Sequence, residues 1–210
     1  LHQTFIAASD NGYDWGVLRH IAPFESSVPD LIVRDGILYI YGLPAQKRVA
    51  LKTGKPLKNV RVQVLDEADK LVMHVDPSAI LDDKGRIVLF FLVGAVGVDP
   101  ATCPPSQPRC EKVFQSATEI EGSQGTRFRL DEGKRASVSI EPHLQFASDP
   151  DIFRGPGGYY LQVSRGQSVQ AFFSETLVGS YQPMEGLPGG ILAKDSGGVS
   201  AGHYDAEKGQ

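Results

Sequence analysis

Cysteine is scarce: Cys103 and Cys110 are the only two in the chain. Two thiolates without further ligands nearby do not fill a tetrahedral metal site. His74, His143 and His203 show no ligand spacing either and read as ordinary polar residues, so no metal and no other cofactor is expected. Basic runs are missing too. The 21 lysines and arginines stand singly among 25 acidic residues, for a formal net charge of −4. With no basic stripe to neutralise a phosphate backbone, nucleic acid is excluded as an expected partner. Long apolar runs are also absent. Ile87 to Val93 is typical of the longest and falls far below the roughly 20 residues that cross a bilayer as a helix. No segment near Leu1 has the layout of a signal peptide. A first residue other than Met leaves export of the precursor open. Finally, no stretch sustains a 3.6-residue apolar period, which argues against a helical bundle.

What is present is enough apolar material for a core, 41% of 210 residues, and nothing requires more than one domain over residues 1–210. The 23 glycines and 14 prolines lie in short clusters along the chain, a sign of many turns. A phrase repeats: a proline with an acidic or small neighbour, a β-rich run, a glycine turn and a second β-rich run. It occurs at Val28-Pro29-Asp30 through Tyr41, at Asp76-Pro77-Ser78 through Leu92, and at Asp149-Pro150-Asp151 through Val163. A weaker form begins near Pro188. The prolines at 29, 77, 150 and 188 are 48, 73 and 38 residues apart, and two of these intervals match a four-stranded propeller blade of roughly 40 to 50 residues. The long interval contains the cysteines, so residues 95–112 read as a loop insertion.

Each phrase predicts an antiparallel hairpin. Between phrases, Val60, Val62 and Val64 alternate with Arg61 and Gln63, and Val169, Ala171 and Phe173 flank Gln170 and Phe172, the period of half-buried outer strands. The class is all-β. In the insertion, Pro104, Pro105 and Pro108 stiffen the chain between the two cysteines. A disulfide there would imply a secreted or periplasmic protein, and two free thiols in the cytosol are the alternative.

The turn Ala8-Ser9-Asp10-Asn11-Gly12-Tyr13-Asp14-Trp15 resembles the Asp-box of sialidase-like propellers, with Asp10, Gly12 and Trp15 at the matching offsets and Trp15 as an expected plug between outer strands. The order of the proline phrases resembles the arabinanase and β-xylosidase group of five-bladed glycoside hydrolases, over about residues 5 to 200. This resemblance implies a β-propeller of the five-bladed type with its first and last blades incomplete. It also implies a monomer that acts on a poly- or oligosaccharide.

In such a ring the innermost strands start at the channel mouth, which would gather Asp30, Asp76, Asp149 and Asp151. Glycosidic hydrolysis needs one protonated and one ionised carboxylate, and crowding can sort neighbouring acids into those states. Asp76 falls where the group has the aspartate that orients and tunes the general acid. The group's general-acid glutamate corresponds to Ser148 in this chain, leaving Asp149 and the off-register Glu185 as candidates. Its nucleophile or base, at the start of the first blade, has no counterpart. Asp30, Asp151 and Tyr41 are candidate substrate contacts. An aspartate beside proline also serves as a turn or cap acceptor, and Tyr39, Tyr41, Tyr159 and Tyr160 on alternating strands also suit packing between blades. The competing readings are a non-catalytic glycan-binding or protein-interaction propeller and, third, a sialidase.

Overall fold

The computed structural model describes residues 3–20, 28–42, 45–50, 55–56, 59–94, 99–142, 146–195 and 199–209. Regular structure among them is all strand apart from one 3-10 turn at Pro188–Gly190. A short ribbon of β1 (Phe5–Ile6) and β2 (Arg19–His20) comes first. The first large sheet then runs β3 (Asp30–Arg34), β4 (Ile37–Gly42), β5 (Ala45–Ala50) and β6 (Lys55–Pro56), with β7 (Val60–Arg61) also paired to β5. From there β8 (Gln63–Leu65) crosses to the second sheet. That sheet runs β9 (His74–Leu81), β10 (Ile87–Val93), β11 (Cys110–Glu119) and β12 (Arg127–Leu130), with β8 parallel to β12 and β13 (Ala136–Ile140) paired to β11. The third runs β14 (Ala147–Gly155), β15 (Gly158–Arg165), β16 (Ser168–Ser174) and β17 (Gln182–Pro183), with β18 (Ile191–Lys194) paired to β16.

The three strongest phrases each open one sheet with a hairpin. In the first, Asp35 and Gly36 both take positive φ, 52° and 71°, as a two-residue turn matched to strand twist requires. The weaker phrase at Pro188 behaves differently: its strand β18 hydrogen-bonds to β16 and completes the outer part of the third sheet.

Strand periodicity decides how the sheets stack. Along β10, Ile87, Leu89 and Phe91 face the first sheet, where they join Tyr39 and Tyr41 in one cluster with Phe128 of their own sheet. Val88, Phe90 and Leu92 face the third, where they meet Ile152, Tyr159, Leu161 and Phe172. All six β10 side chains are at most 1% exposed, so the middle sheet is buried on both faces and its strand reads as a continuous apolar run. Stacking sets β9 beside both β3 and β14, and these three phrase-opening strands line one side of the stack. Arg34 of β3 and Glu119 of β11 form an ion pair across the first interface. Glu119 also accepts from Ile87 N at 3.0 Å and from Gly125 N.

Cys103 and Cys110 are joined in a disulfide at the base of the loop preceding β11. Among the described residues, no helix is long and apolar enough to cross a membrane. The Asp-box-like turn forms around a different residue from the one expected. Asn11, not Asp10, accepts the N–H groups of Tyr13 and Asp14, both at 2.8 Å. Trp15 is 64% exposed and plugs nothing.

Candidate active site

The site is built by a defect that recurs in the inner strands. On β9, Ser78 pairs with Phe90 and Val75 with Leu92, so Asp76 and Pro77 together oppose one residue. On β14, Ser148 pairs with Ser164 and Asp151 with Gln162, so Asp149 and Pro150 do the same. These are β-bulges. Proline, lacking an N–H, fits where the ladder is interrupted. The residue before it takes a left-handed conformation, with φ 52° at Asp76, 52° at Asp149 and 48° at Val28 ahead of Pro29. Positive φ is uncommon for non-glycine residues, although aspartate tolerates it better than most. A bulge re-aims its first side chain, and here it brings two carboxylates from neighbouring sheets together.

The Asp149 backbone N–H faces the Asp76 carboxylate, while Asp149 Oδ2 accepts from Ser148 Oγ at 2.7 Å. Burial pushes the Asp76 carboxyl up to about 6, helped by the negative charges of Asp149 and, more weakly, Asp99. The nearby Asp149 N–H pulls the other way without cancelling the shift. At near-neutral pH Asp76 is therefore poised between protonated and ionised forms, as a group that donates or tunes a proton must be.

The residue after each proline does something else. Asp30 Oδ1 accepts from Leu31 N at 2.7 Å, and Oδ2 accepts from Ala79 N at 2.6 Å and Ser78 Oγ at 3.0 Å. Ser78 Oγ accepts from Ile152 N at 3.1 Å. Asp151 Oδ2 accepts from Gly202 N at 2.6 Å. Asp30 and Ser78 thus each reach the backbone two positions past the proline of the next sheet, whereas Asp151 reaches Gly202 in a segment outside the strands. Burial raises the Asp30 carboxyl, opposed by its three donors, and pushes Asp151 up to about 7.

The remaining candidates lie apart from this pair. Tyr41 is 0% exposed, sits edge-on to Phe128 and donates its hydroxyl to Gly125 O at 3.0 Å. It packs the interface between the first two sheets and is closed to a ligand. Glu185 follows β17, three strands out from β14, and is exposed in a cleft of about 700 Å³ with Tyr160, Phe173 and Glu175. That cleft is an open groove on the outer part of the third sheet, away from the bulges. His74 packs against Phe91 and its Nδ1 lies 3.2 Å from Val72 O, His203 is exposed, and His143 lies outside the described residues. No cluster of three or more metal-ligating side chains occurs among the described residues.

Two neighbours of the acid pair escaped the sequence reading, Ser78 and Asp99. The first was findable, because aligning the prolines puts Ser78 in the place of Asp30 and Asp151. The second was not, since Asp99 reaches Asp76 only through the folded loop.

No protein-family model matches the chain, and no curated protein matches it by sequence. Solved structures do match. The chain is similar to a thermostable family-43 glycoside hydrolase (TM-score 0.57, 12% identity, covering 88% of this chain and 65% of that one). It is also similar to an endo-1,4-β-xylanase from Bacteroides thetaiotaomicron (0.58, 16%, 98% and 67%) and to an endo-arabinase from the same organism (0.56, 15%, 94% and 73%). The chain thus spans less than two thirds of the first of these proteins. At such identities the likeness shows the fold, the stacked sheets of propeller glycoside hydrolases.

Proposed function

We propose that the chain is a carbohydrate-active propeller whose carboxylates act on glycosidic bonds of a poly- or oligosaccharide, and that its three sheets belong to a five-bladed ring. The observation that carries this reading is the pair of equivalent bulges that brings Asp76 and Asp149 together from neighbouring sheets. In this scheme Asp76, held partly protonated near neutral pH, supplies or tunes the proton for the leaving oxygen. Asp149, tied to Ser148, is the neighbour whose negative charge adds to burial in raising the Asp76 proton affinity. Asp30, from the neighbouring β3, and Asp151, on β14 itself, shape the wall of the site. The activities named for the similar structures make xylan and arabinan the first polymers to test. The disulfide supports a secreted or periplasmic location.

The test is hydrolysis by the full-length protein of aryl-glycosides and of xylan and arabinan oligosaccharides. The expected result is turnover that drops by about 10²-fold or more in Asp76→Asn, the scale of lost acid–base catalysis. Undiminished turnover in that variant would overturn the assignment of Asp76.

One observation favours a second reading, non-catalytic glycan binding. Ser148 stands where the resembled group carries its general-acid glutamate, and its hydroxyl bonds Asp149 instead of replacing that acid. Glycan binding measured by calorimetry without product release would decide for it.

A further inference from the structure

The hydrogen bonds that link the inner strands differ at one step. Where β3 meets β9 and where β14 meets the segment around Gly202, the side chain after the proline is an aspartate. Between β9 and β14 it is Ser78, only 2% exposed and bonded on both sides, donating to Asp30 Oδ2 and accepting from Ile152 N. A carboxylate at 78 could accept from Ile152 N but could not donate to Asp30, and it would add a negative charge beside four aspartates. A hydroxyl does both jobs without charge.

We propose that Ser78 is a positioning residue: its hydroxyl clamps β9 to β14 and so holds Asp76 and Asp149 at the separation on which the proposed chemistry depends. This rests on the glycosidase-type reading of that pair. The geometry makes the clamp direct. Ser78 lies two residues past Asp76, and Ile152 three past Asp149, so the Ser78–Ile152 bond joins the same two strands that carry the neighbouring acids, just across the prolines from them. The groups acting on Asp76 are Asp149 from β14 and Asp99 from the loop before β11. Lys112 of β11 faces Asp99, Asp30 of β3 acts on Asp151, and His74 on β9 itself is turned to Val72 O and Phe91. Loosening the clamp therefore parts two acids and admits water between them, and both changes lower the proton affinity of Asp76.

The experiment is titration of the Asp76 side chain by carboxyl-carbon NMR in the wild type, Ser78→Ala and Ser78→Thr, with near-UV circular dichroism to verify folding. Ser78→Ala is expected to lower the Asp76 midpoint by about one unit or more toward the ordinary aspartate value. Ser78→Thr, which keeps the hydroxyl, is expected to restore it. An unchanged midpoint in Ser78→Ala, or an equal fall in both variants, overturns the proposal, the second because packing rather than the hydroxyl would then be responsible. Should Ser78→Ala not fold, Ser78→Cys, whose thiol is only a weak acceptor for Ile152 N, tests the same hydrogen bond with less change in volume, with a smaller fall expected and an unmoved midpoint again refuting the clamp. The readout needs no turnover. A wild type that hydrolyses nothing sinks the glycosidase reading while leaving the clamp measurable.

Discussion

Replacing Asp76 by asparagine should stabilise the protein at alkaline pH while removing its proposed activity. In the folded chain the Asp76 carboxyl is pushed up to about 6, chiefly by burial, whereas in the unfolded chain an aspartate titrates near 3.9. The folded state therefore holds this proton more tightly. Its relative stability is full below the unfolded value, falls as the pH rises through the window from about 4 to 6, and stays reduced above it. A shift of about two units at 1.36 kcal/mol each corresponds to about 3 kcal/mol as an upper bound. Asp76 is only half-buried, and solvent screening reduces the expected effect to about 1–2 kcal/mol. Asparagine does not ionise and keeps the size of the side chain. For a chain of 210 residues the change corresponds to a gain in Tm of about 2–8 °C. Paired thermal unfolding at pH 4 and pH 8 measures it. The Tm difference between variant and wild type should be about 2–8 °C more positive at pH 8 than at pH 4. A difference that is the same at both values, or larger at pH 4, would refute the argument that ionising Asp76 costs stability.

Four further outcomes are expected. Glu119→Ala leaves Arg34 buried without its partner and strips Ile87 N and Gly125 N of an acceptor, so urea unfolding should show a loss of about 3–5 kcal/mol. Burial alone would raise Glu119, but Arg34 and the two N–H groups hold it below the usual glutamate range. The stability it contributes is thus present above the ordinary glutamate value and lost as pH falls through the depressed one, and a wild type as stable in acid as at neutrality relative to Glu119→Gln would contradict this. Reduction of the Cys103–Cys110 bond, which closes a loop with a sequence separation of 7, should cost about 2–3 kcal/mol by the chain-entropy relation, measured as the shift in urea midpoint with and without reductant. Gly158→Ala would drive a Cβ into the backbone oxygen of Ser174 and within 2.9 Å of the Glu175 Cα. Backbone atoms cannot swing aside, so a loss of about 1–3 kcal/mol is expected, and a variant as stable as wild type would show that the β15–β16 edge yields.

The sequence by itself determined the hairpins, the strand faces and the place of the acids beside the prolines. These follow from local chemistry: proline removes a ladder donor, glycine and aspartate accept positive φ in the turn at 35–36, and alternation along β10 sorts its side chains between two faces. The bulges were half legible, since the prolines marked them while the doubled residues opposite Phe91 and Val163 required a partner strand. Only the tertiary structure decided what each acid does. Asp30 and Asp151 differ from Asp76 and Asp149 by two positions in the same phrase, yet Asp30 reaches the second sheet's backbone and Asp151 that of Gly202, while the other two form the carboxylate cluster. Tyr41 and Tyr39 sit on a strand whose alternation is plain, but which interface covers them depends on residues such as Phe128, far along the chain. Asn11 displaced Asp10 as the turn acceptor because a one-residue offset in hydrogen bonding is invisible to a motif read by spacing. Glu185 was drawn toward the site by its proximity to Pro188, whereas pairing of β18 with β16 holds that whole segment at the outer part of the third sheet. The physical reason is common to all of these. Backbone preference acts over a few residues, but proton affinity, burial and hydrogen-bond partnership are set by groups that only folding brings within a few ångströms.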